Sequence, residues 1–158
     1  MRPVGQFEIR PARPADIPDV RRMVEEYVTW IGLDLGFQEI EAELQGLPGD
    51  YAPPHGALFV AQQDDALVGT ISLRRFDDGI SEMKRLFVRP EGRGRGLAKQ
   101  LIAVALAEAR RLGYSEIRLD TLPMMGDAQA LYVSLGFRDI EPYYDTPIAG
   151  TRFMSKTL

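Results

Sequence analysis

The run from Glu82 to Ala98 leaves little freedom in how the chain around it folds. A β-like apolar stretch through Leu86-Phe87-Val88 stops at Pro90 and turns through Gly92, Gly94 and Gly96. It then enters a helix whose apolar positions Leu97, Leu101, Val104, Ala105 and Leu112 recur at helical spacing before Gly113. Glycines admit left-handed dihedrals and let a ligand approach the backbone closely. The first N–H groups of the helix have no intrahelical partner and carry the positive end of its dipole. A strand–turn–helix unit of this kind is therefore an anion site suited to phosphate, and Arg93 and Arg95 add charge to it. A nucleoside-triphosphate loop is excluded because no lysine followed by Ser or Thr stands at this glycine turn. The dinucleotide fingerprint fails on its third glycine and its downstream acidic residue. A solvated basic turn, with the glycines serving only the backbone, is the alternative.

Composition bounds what this unit can serve. At 158 residues the chain suits one compact domain, numbered 1–158, with an ordinary globular composition. A formal charge of -4 argues against a general nucleic-acid binder and makes the arginines of 84–95 a local patch on an acidic protein. There are no cysteines and a single histidine, His55, which excludes thiolate chemistry, disulfides and multi-histidine metal sites. No metal is expected. Neither a signal-like nor a membrane-spanning apolar run is present, so the expected location is the cytoplasm, with no membrane partner.

Strands and helices alternate along the rest of the chain, without repeats or a linker. Phe7 to Ala12 reads as a strand, and Asp16 as a helix N-cap with Asp19 in capping-box position. Ile17, Val20, Val24, Tyr27 and Ile31 give that helix its apolar face. A short helix follows from Gln38 to Gln45. Ala57–Gln62 and Leu67–Arg75 form a hairpin about Asp64-Asp65, and Asp77-Asp78-Gly79 turns into a strand from Ile80 to Val88. The long helix is predicted over Gly94–Leu112, a strand over Ile117–Thr121, and a last helix around Ala128, Leu131, Tyr132 and Leu135. Final strands are expected at Phe137–Ile140 and Arg152–Ser155. The pattern is an antiparallel meander followed by βαβαβ, an α/β or α+β domain with one mixed sheet.

Arg93-Gly94-Arg95-Gly96-Leu97-Ala98 resembles the Gln/Arg-x-x-Gly-x-Gly/Ala signature of the GCN5-related N-acetyltransferases (GNAT). Leu86-Phe87-Val88 is similar to that family's cofactor strand, and Leu131-Tyr132 with Leu135-Gly136-Phe137 to its C-terminal helix-to-strand segment. Order and separation agree, so the resemblance spans roughly Ile9 to Leu158. It implies a mixed, mostly antiparallel sheet of six to seven strands flanked by about four helices. It also implies acetyl-CoA as co-substrate, with its pyrophosphate on the amides of Arg93, Gly94, Arg95, Gly96, Leu97 and Ala98. The backbone of Leu86, Phe87 and Val88 would pair with the pantetheine arm where this strand splays from the one near Ile117. One of those amides would polarise the thioester carbonyl.

Further roles come from the same resemblance. Glu82 stands where family members with a strand glutamate carry a base for the acceptor ammonium; the alternative is a plain cross-strand pair with Arg74 or Arg75. Strict alternation would put Glu82, Lys84, Leu86 and Val88 on one side of the strand and Met83, Arg85 and Phe87 on the other. Tyr132 corresponds to the donor to the departing thiolate, or else belongs to the core. A phenol is a weaker acid than a thiol, so complete transfer would be uphill by roughly 2 kcal/mol, and a hydrogen bond is easier to defend. The chain departs from the family where many members carry asparagine, here Met125, so Asp127 is the substitute candidate for that cofactor contact. Acceptor-lining candidates are Tyr27, Trp30, Phe37, Arg74, Tyr143 and Tyr144, and Arg75 and Arg85 could also meet an acceptor carboxylate. The resemblance makes a homodimer reasonable. Three functions are in view: an N-acetyltransferase acting on a small-molecule or peptide amine, a non-catalytic acetyl-CoA-binding regulator, and a nucleic-acid module, which the charge disfavours.

Overall fold

The computed structural model describes residues 6–36 and 39–158. Phe37, a candidate acceptor residue, lies outside them. Seven strands form one sheet: β1 (Phe7–Pro11), β2 (Ala57–Gln63), β3 (Ala66–Asp77), β4 (Ile80–Val88), β5 (Glu116–Thr121), β6 (Arg138–Asp139) and β7 (Arg152–Thr157). Their order is β1-β2-β3-β4-β5-β7-β6, and only β4 and β5 run parallel. Four helices complete it: α1 (Ile17–Ile31), α2 (Ile40–Gln45), α3 (Leu97–Arg111) and α4 (Gly126–Ser134). This is the mixed, mostly antiparallel sheet with four helices that the sequence leads one to expect.

Alternation along β2 shows how the two faces divide. Ala57, Phe59 and Ala61 pack with Leu101, Ile102 and Ala105 of α3, while Leu58 and Val60 pack with Val20, Met23 and Val24 of α1. Side chains on successive residues point to opposite faces, so one strand feeds both cores. Each fully buried Leu or Ile contributes about 1.5–3 kcal/mol by leaving water.

One helix start and one side-chain cap differ from the sequence expectation, although Asp16 does stand at the N-cap position of α1. The long helix starts at Leu97 because Gly94 and Gly96 take φ of +80° and +75°, outside the helical region. Asp16 caps nothing with its side chain on α1. Its carboxylate instead accepts from the Arg13 N–H at 2.7 Å and from Arg10 Nη1 at 2.7 Å, while Asp19 binds Arg89 at 3.2 Å. A guanidinium within reach is a stronger partner than a backbone amide.

Strand β4 breaks its own alternation. Thr70 pairs with Phe87 and Ser72 with Lys84, so two steps on β3 face three on β4. The extra residue makes a β-bulge, and Arg85 sits in it at φ +59°, a left-handed conformation rare for a non-glycine. Beyond the bulge the faces exchange. Met83, Leu86 and Val88 all pack on the α3 side, whereas Phe87 packs on the α1 side and Arg85 binds Glu43 of α2. Strict alternation is therefore wrong for this strand: Leu86 and Val88 do not share a face with Glu82 and Lys84.

Candidate active site

Pairing between β4 and β5 covers Ile80 with Glu116, Ser81 with Ile117 and Glu82 with Arg118, and then stops. From there to the bulge the strands diverge, as the splay predicted for Leu86–Val88 requires. The opening holds a small crevice, lined on β4 by Lys84, Arg85 and Leu86, on β5 by Leu119 and Asp120, on the helices by Tyr27 and Tyr132, and just before α4 by Met125. A larger cavity lies on each side of it.

The first, about 540 Å³, runs along Leu86, Phe87 and Val88 and is closed by Arg93, Ala98, Asp127, Ala128 and Leu131. It is mostly apolar, and its polar features come from the turn before α3. There the first helical backbone bond is Gln100 N–H to the Gly96 carbonyl at 3.2 Å, so the N–H groups of Leu97 to Lys99 precede the ladder. Arg93 is anchored by Nε to the Val88 carbonyl at 2.9 Å and lies about 6 Å from the rings of Trp30 and Phe87. Arg95 turns away, donating to the Glu91 carbonyl at 2.7 Å and lying over Phe7 at 4.6 Å. Its guanidinium therefore does not reinforce the turn as an anion site from within the cleft.

The second cavity, about 430 Å³, is polar and is walled by Glu82, Lys84, Arg74, Tyr143 and Tyr144, with Glu39 and Asp145 among its outer residues. Glu82 is 1% exposed. Its Oε1 accepts from Arg74 Nε at 2.8 Å and its Oε2 from the Tyr143 hydroxyl at 2.7 Å. The cross-strand pair with Arg74 is thus real, and it coexists with a place on the cavity wall. The Tyr144 hydroxyl donates to Asp120 Oδ2 at 2.5 Å. Both tyrosine rings stand edge-on to Phe153 with centroids 5.0 Å away. Burial, then the neighbouring carboxylates, push both phenols above their ordinary range.

Two buried ion pairs underlie this cavity. Arg85 Nε donates to Glu43 Oε2 at 2.8 Å, and Tyr51 donates to Glu43 Oε1 at 2.8 Å. Burial alone would raise the Glu43 carboxyl, but Arg85 more than reverses this and holds it below its ordinary value. Lys84 Nζ lies 3.7 Å from Asp120 Oδ1 with both side chains under 10% exposed. Desolvation lowers the lysine's pKa, opposed by Asp120 and Glu82.

Tyr132 is 7% exposed and lines the central crevice while its ring packs 5.6 Å from Phe137. It is at once core and crevice wall. Burial raises its pKa, making it a still poorer acid. Tyr27 lines the crevice and the apolar cleft, and Trp30 the cleft alone, so neither stands in the polar cavity expected for them. Burial pushes the Tyr27 phenol up to about 12.

The basic patch read from 84–95 is largely neutralised. Arg85 is spent on Glu43, and Arg89 binds Glu26 at 2.8 Å and Asp19 at 3.2 Å. Arg75 pairs with Asp78 at the hairpin turn, away from the cavity. Asp120 and Glu43 carry no local signal of a site; for Lys84 the one clue is its place two residues from the candidate base on the same strand.

A model of the acetyltransferase (GNAT) family matches residues 18–137. An uncharacterised N-acetyltransferase of Schizosaccharomyces pombe is 40% identical over 143 residues, which cover 89% of this chain and 88% of that protein. The Escherichia coli uncharacterised N-acetyltransferase YjgM is 30% identical over 131 residues, 80% of this chain and 78% of that one. Among solved structures, a GNAT-family acetyltransferase from Staphylococcus aureus superposes with a TM-score of 0.80 at 21% identity, covering 96% of this chain and 99% of that one. The PaiA N-acetyltransferase of Thermoplasma acidophilum, solved in complex with coenzyme A, has a TM-score of 0.72 at 21% identity over 97% of this chain and 99% of that one. By class, the protein is an acetyltransferase. It belongs to the GNAT family.

Proposed function

We propose that the protein transfers acetyl from acetyl-CoA directly to a primary amine of a small molecule or peptide, both substrates being bound together. The observation that carries this reading is the divergence of β4 from β5 beyond Glu82, which joins an apolar cleft to a polar cavity through one narrow crevice. A donor entering from one side and an amine from the other meet there without a covalent enzyme intermediate.

The donor fits the apolar cleft. The amides at the start of α3 and of the turn from Arg93 to Ala98 bind the pyrophosphate, and Arg93 adds its charge. Leu86, Phe87 and Val88 offer backbone to the pantetheine arm, with Asp127 at the far wall. A strand N–H at the bulge polarises the thioester carbonyl as charge develops on its oxygen. Trp30 and Tyr27 belong to this side.

The amine fits the polar cavity. Glu82 receives its proton, directly or through a water; each carboxylate oxygen has two lone pairs, so the bonds to Arg74 and Tyr143 orient the group without exhausting it. Tyr132, at the opposite wall, donates a hydrogen bond to the departing thiolate rather than its whole proton, which its raised pKa retains. Arg74, Tyr143 and Tyr144 shape the acceptor's surroundings.

A thiol-release screen with acetyl-CoA across amino acids, polyamines, aminoglycosides and peptides tests the reading. Acceptor-dependent release of CoA is expected. Tight acetyl-CoA binding without release for any amine would replace it with a regulatory acetyl-CoA-binding function.

A further inference from the structure

Lys84 is the side chain that the central crevice and the polar cavity share with Arg85, and the two cations differ sharply. Arg85 is held by Glu43 at 2.8 Å. The Lys84 ammonium makes no hydrogen bond among the described residues, and its ion pair with Asp120 Oδ1 is 3.7 Å long, beyond hydrogen-bond reach. The ammonium is loosely held but not sealed off: among the described residues no fully buried side-chain nitrogen lacks a hydrogen-bond partner, so its Nζ opens onto the crevice and cavity that it lines. The groups around it are Glu82 on its own strand, Asp120 on β5, and the guanidiniums of Arg74 and Arg85. It therefore stands at the join between the two cavities as an amine with a carboxylate beside it.

We infer that Lys84 is itself an acetyl acceptor, modified by the enzyme's own acetyl-CoA when no amine substrate occupies the polar cavity. The inference rests on the reading of the apolar cleft as the acetyl-CoA site. The Lys84 ammonium gives one proton to Asp120, which passes it to solvent. The freed Nζ lone pair forms a bond to the thioester carbonyl carbon, and the C–S bond breaks with its electrons on sulfur. The second proton on nitrogen goes to the thiolate, giving free CoA and a neutral acetyl-lysine. An amide does not return its acetyl group to an incoming amine, so the product is a capped enzyme and not an intermediate. It places an acetyl group across the crevice and removes the cation facing Asp120.

The sequence makes the test clean, since it has three lysines: Lys84, Lys99 and Lys156. Lys99 is exposed, so non-enzymatic acetylation strikes it before buried Lys84. The full-length protein, freed of bound acyl groups, is incubated with acetyl-CoA and no amine, and the lysines are mapped by peptide mass spectrometry over time. Thermal shift with CoA is measured in parallel. Acetylation at Lys84 about tenfold or more faster than at Lys99 is expected, as proximity to a bound donor predicts. Excess CoA should suppress it, and Asp120→Asn should slow it while retaining the CoA thermal shift. Acetic anhydride, which needs no binding site, should reverse the order of the two lysines. A CoA thermal shift with Lys84 unmodified, or modified no faster than Lys99, would overturn the inference and leave the acetyl-CoA site standing. Absence of any thermal shift with CoA or acetyl-CoA would overturn both.

Discussion

The two cavities on either side of the β4–β5 crevice are built by opposite means. The apolar cleft, proposed for the donor, is made of backbone and apolar surface: a bulged strand, a glycine turn and a helix start, with Arg93 anchored beside it. The polar cavity, proposed for the acceptor, is made of side chains tied to one another in threes, Arg74 to Glu82 to Tyr143, Lys84 to Asp120 to Tyr144, and Arg85 to Glu43 to Tyr51. Backbone sites tolerate changes of side chain and bind whatever shares a phosphate and an extended arm. A network of paired charges is sensitive to every member, because removing one partner leaves the other unpaired.

That contrast predicts that substitutions on the acceptor side strike rate or stability, whereas those on the donor side strike the KM for acetyl-CoA. The largest effect is expected for Glu82→Gln: kcat should fall by about 10²- to 10⁴-fold, the range for a lost general base, with the CoA thermal shift intact. Unchanged turnover would reduce Glu82 to a partner of Arg74. Next comes Glu43→Gln, which leaves the Arg85 guanidinium buried beside a neutral amide and should destabilise by about 3 kcal/mol in urea titration. The same pair sets a pH dependence. The Glu43 pKa is lower folded than unfolded, so its stabilisation is complete above the ordinary value of 4.5 and fades as pH falls through the folded one. The acid limb of a stability–pH curve should therefore flatten in Glu43→Gln; an unaltered limb would show that the pair contributes no net stability.

A smaller effect, about tenfold in kcat, is expected for Tyr132→Phe, comparable to one lost hydrogen bond to a charged group. Wild-type turnover would leave Tyr132 with its core role alone. The smallest is expected at the glycine turn. A Cβ on Gly96 meets nothing within 4 Å, so the φ of +75° alone opposes it, at about 1–2 kcal/mol. Gly96→Ala should raise the KM for acetyl-CoA several-fold and leave kcat nearly unchanged. A change confined to kcat would break the division between the two sides.

The same division governs what could be read in the sequence. The strand–turn–helix unit was legible because glycine dihedrals and helix periodicity are written in neighbouring residues. So was the strand order of the meander; the splay was legible only through the family resemblance. The bulge at Arg85 was not, since nothing local marks an arginine as left-handed; it follows from the register that β3 imposes. Glu43 and Arg85 are 42 positions apart, and only the packing of α2 on the sheet brings them together. The sequence suggests Tyr27 and Trp30 for the acceptor because of their helix, yet that helix ends over Phe87 and Arg93, along the apolar cleft. Asp16 looked like a cap until Arg10, on the strand before it, claimed its carboxylate.

Tyr143 and Tyr144 are neighbours in the chain, yet one hydrogen-bonds Glu82 on β4 and the other Asp120 on β5. Consecutive Cα atoms are fixed at about 3.8 Å, so these two residues act as the jaws of a caliper set across the diverging strands. The two rings stand 5.7 Å apart, centroid to centroid, so a single loop ties both strands. Release of one jaw leaves its hydroxyl tethered close by, so rebinding is favoured over escape. Displacing the loop breaks both hydrogen bonds together, so it acts as a clasp over the end where β4 and β5 cease to pair.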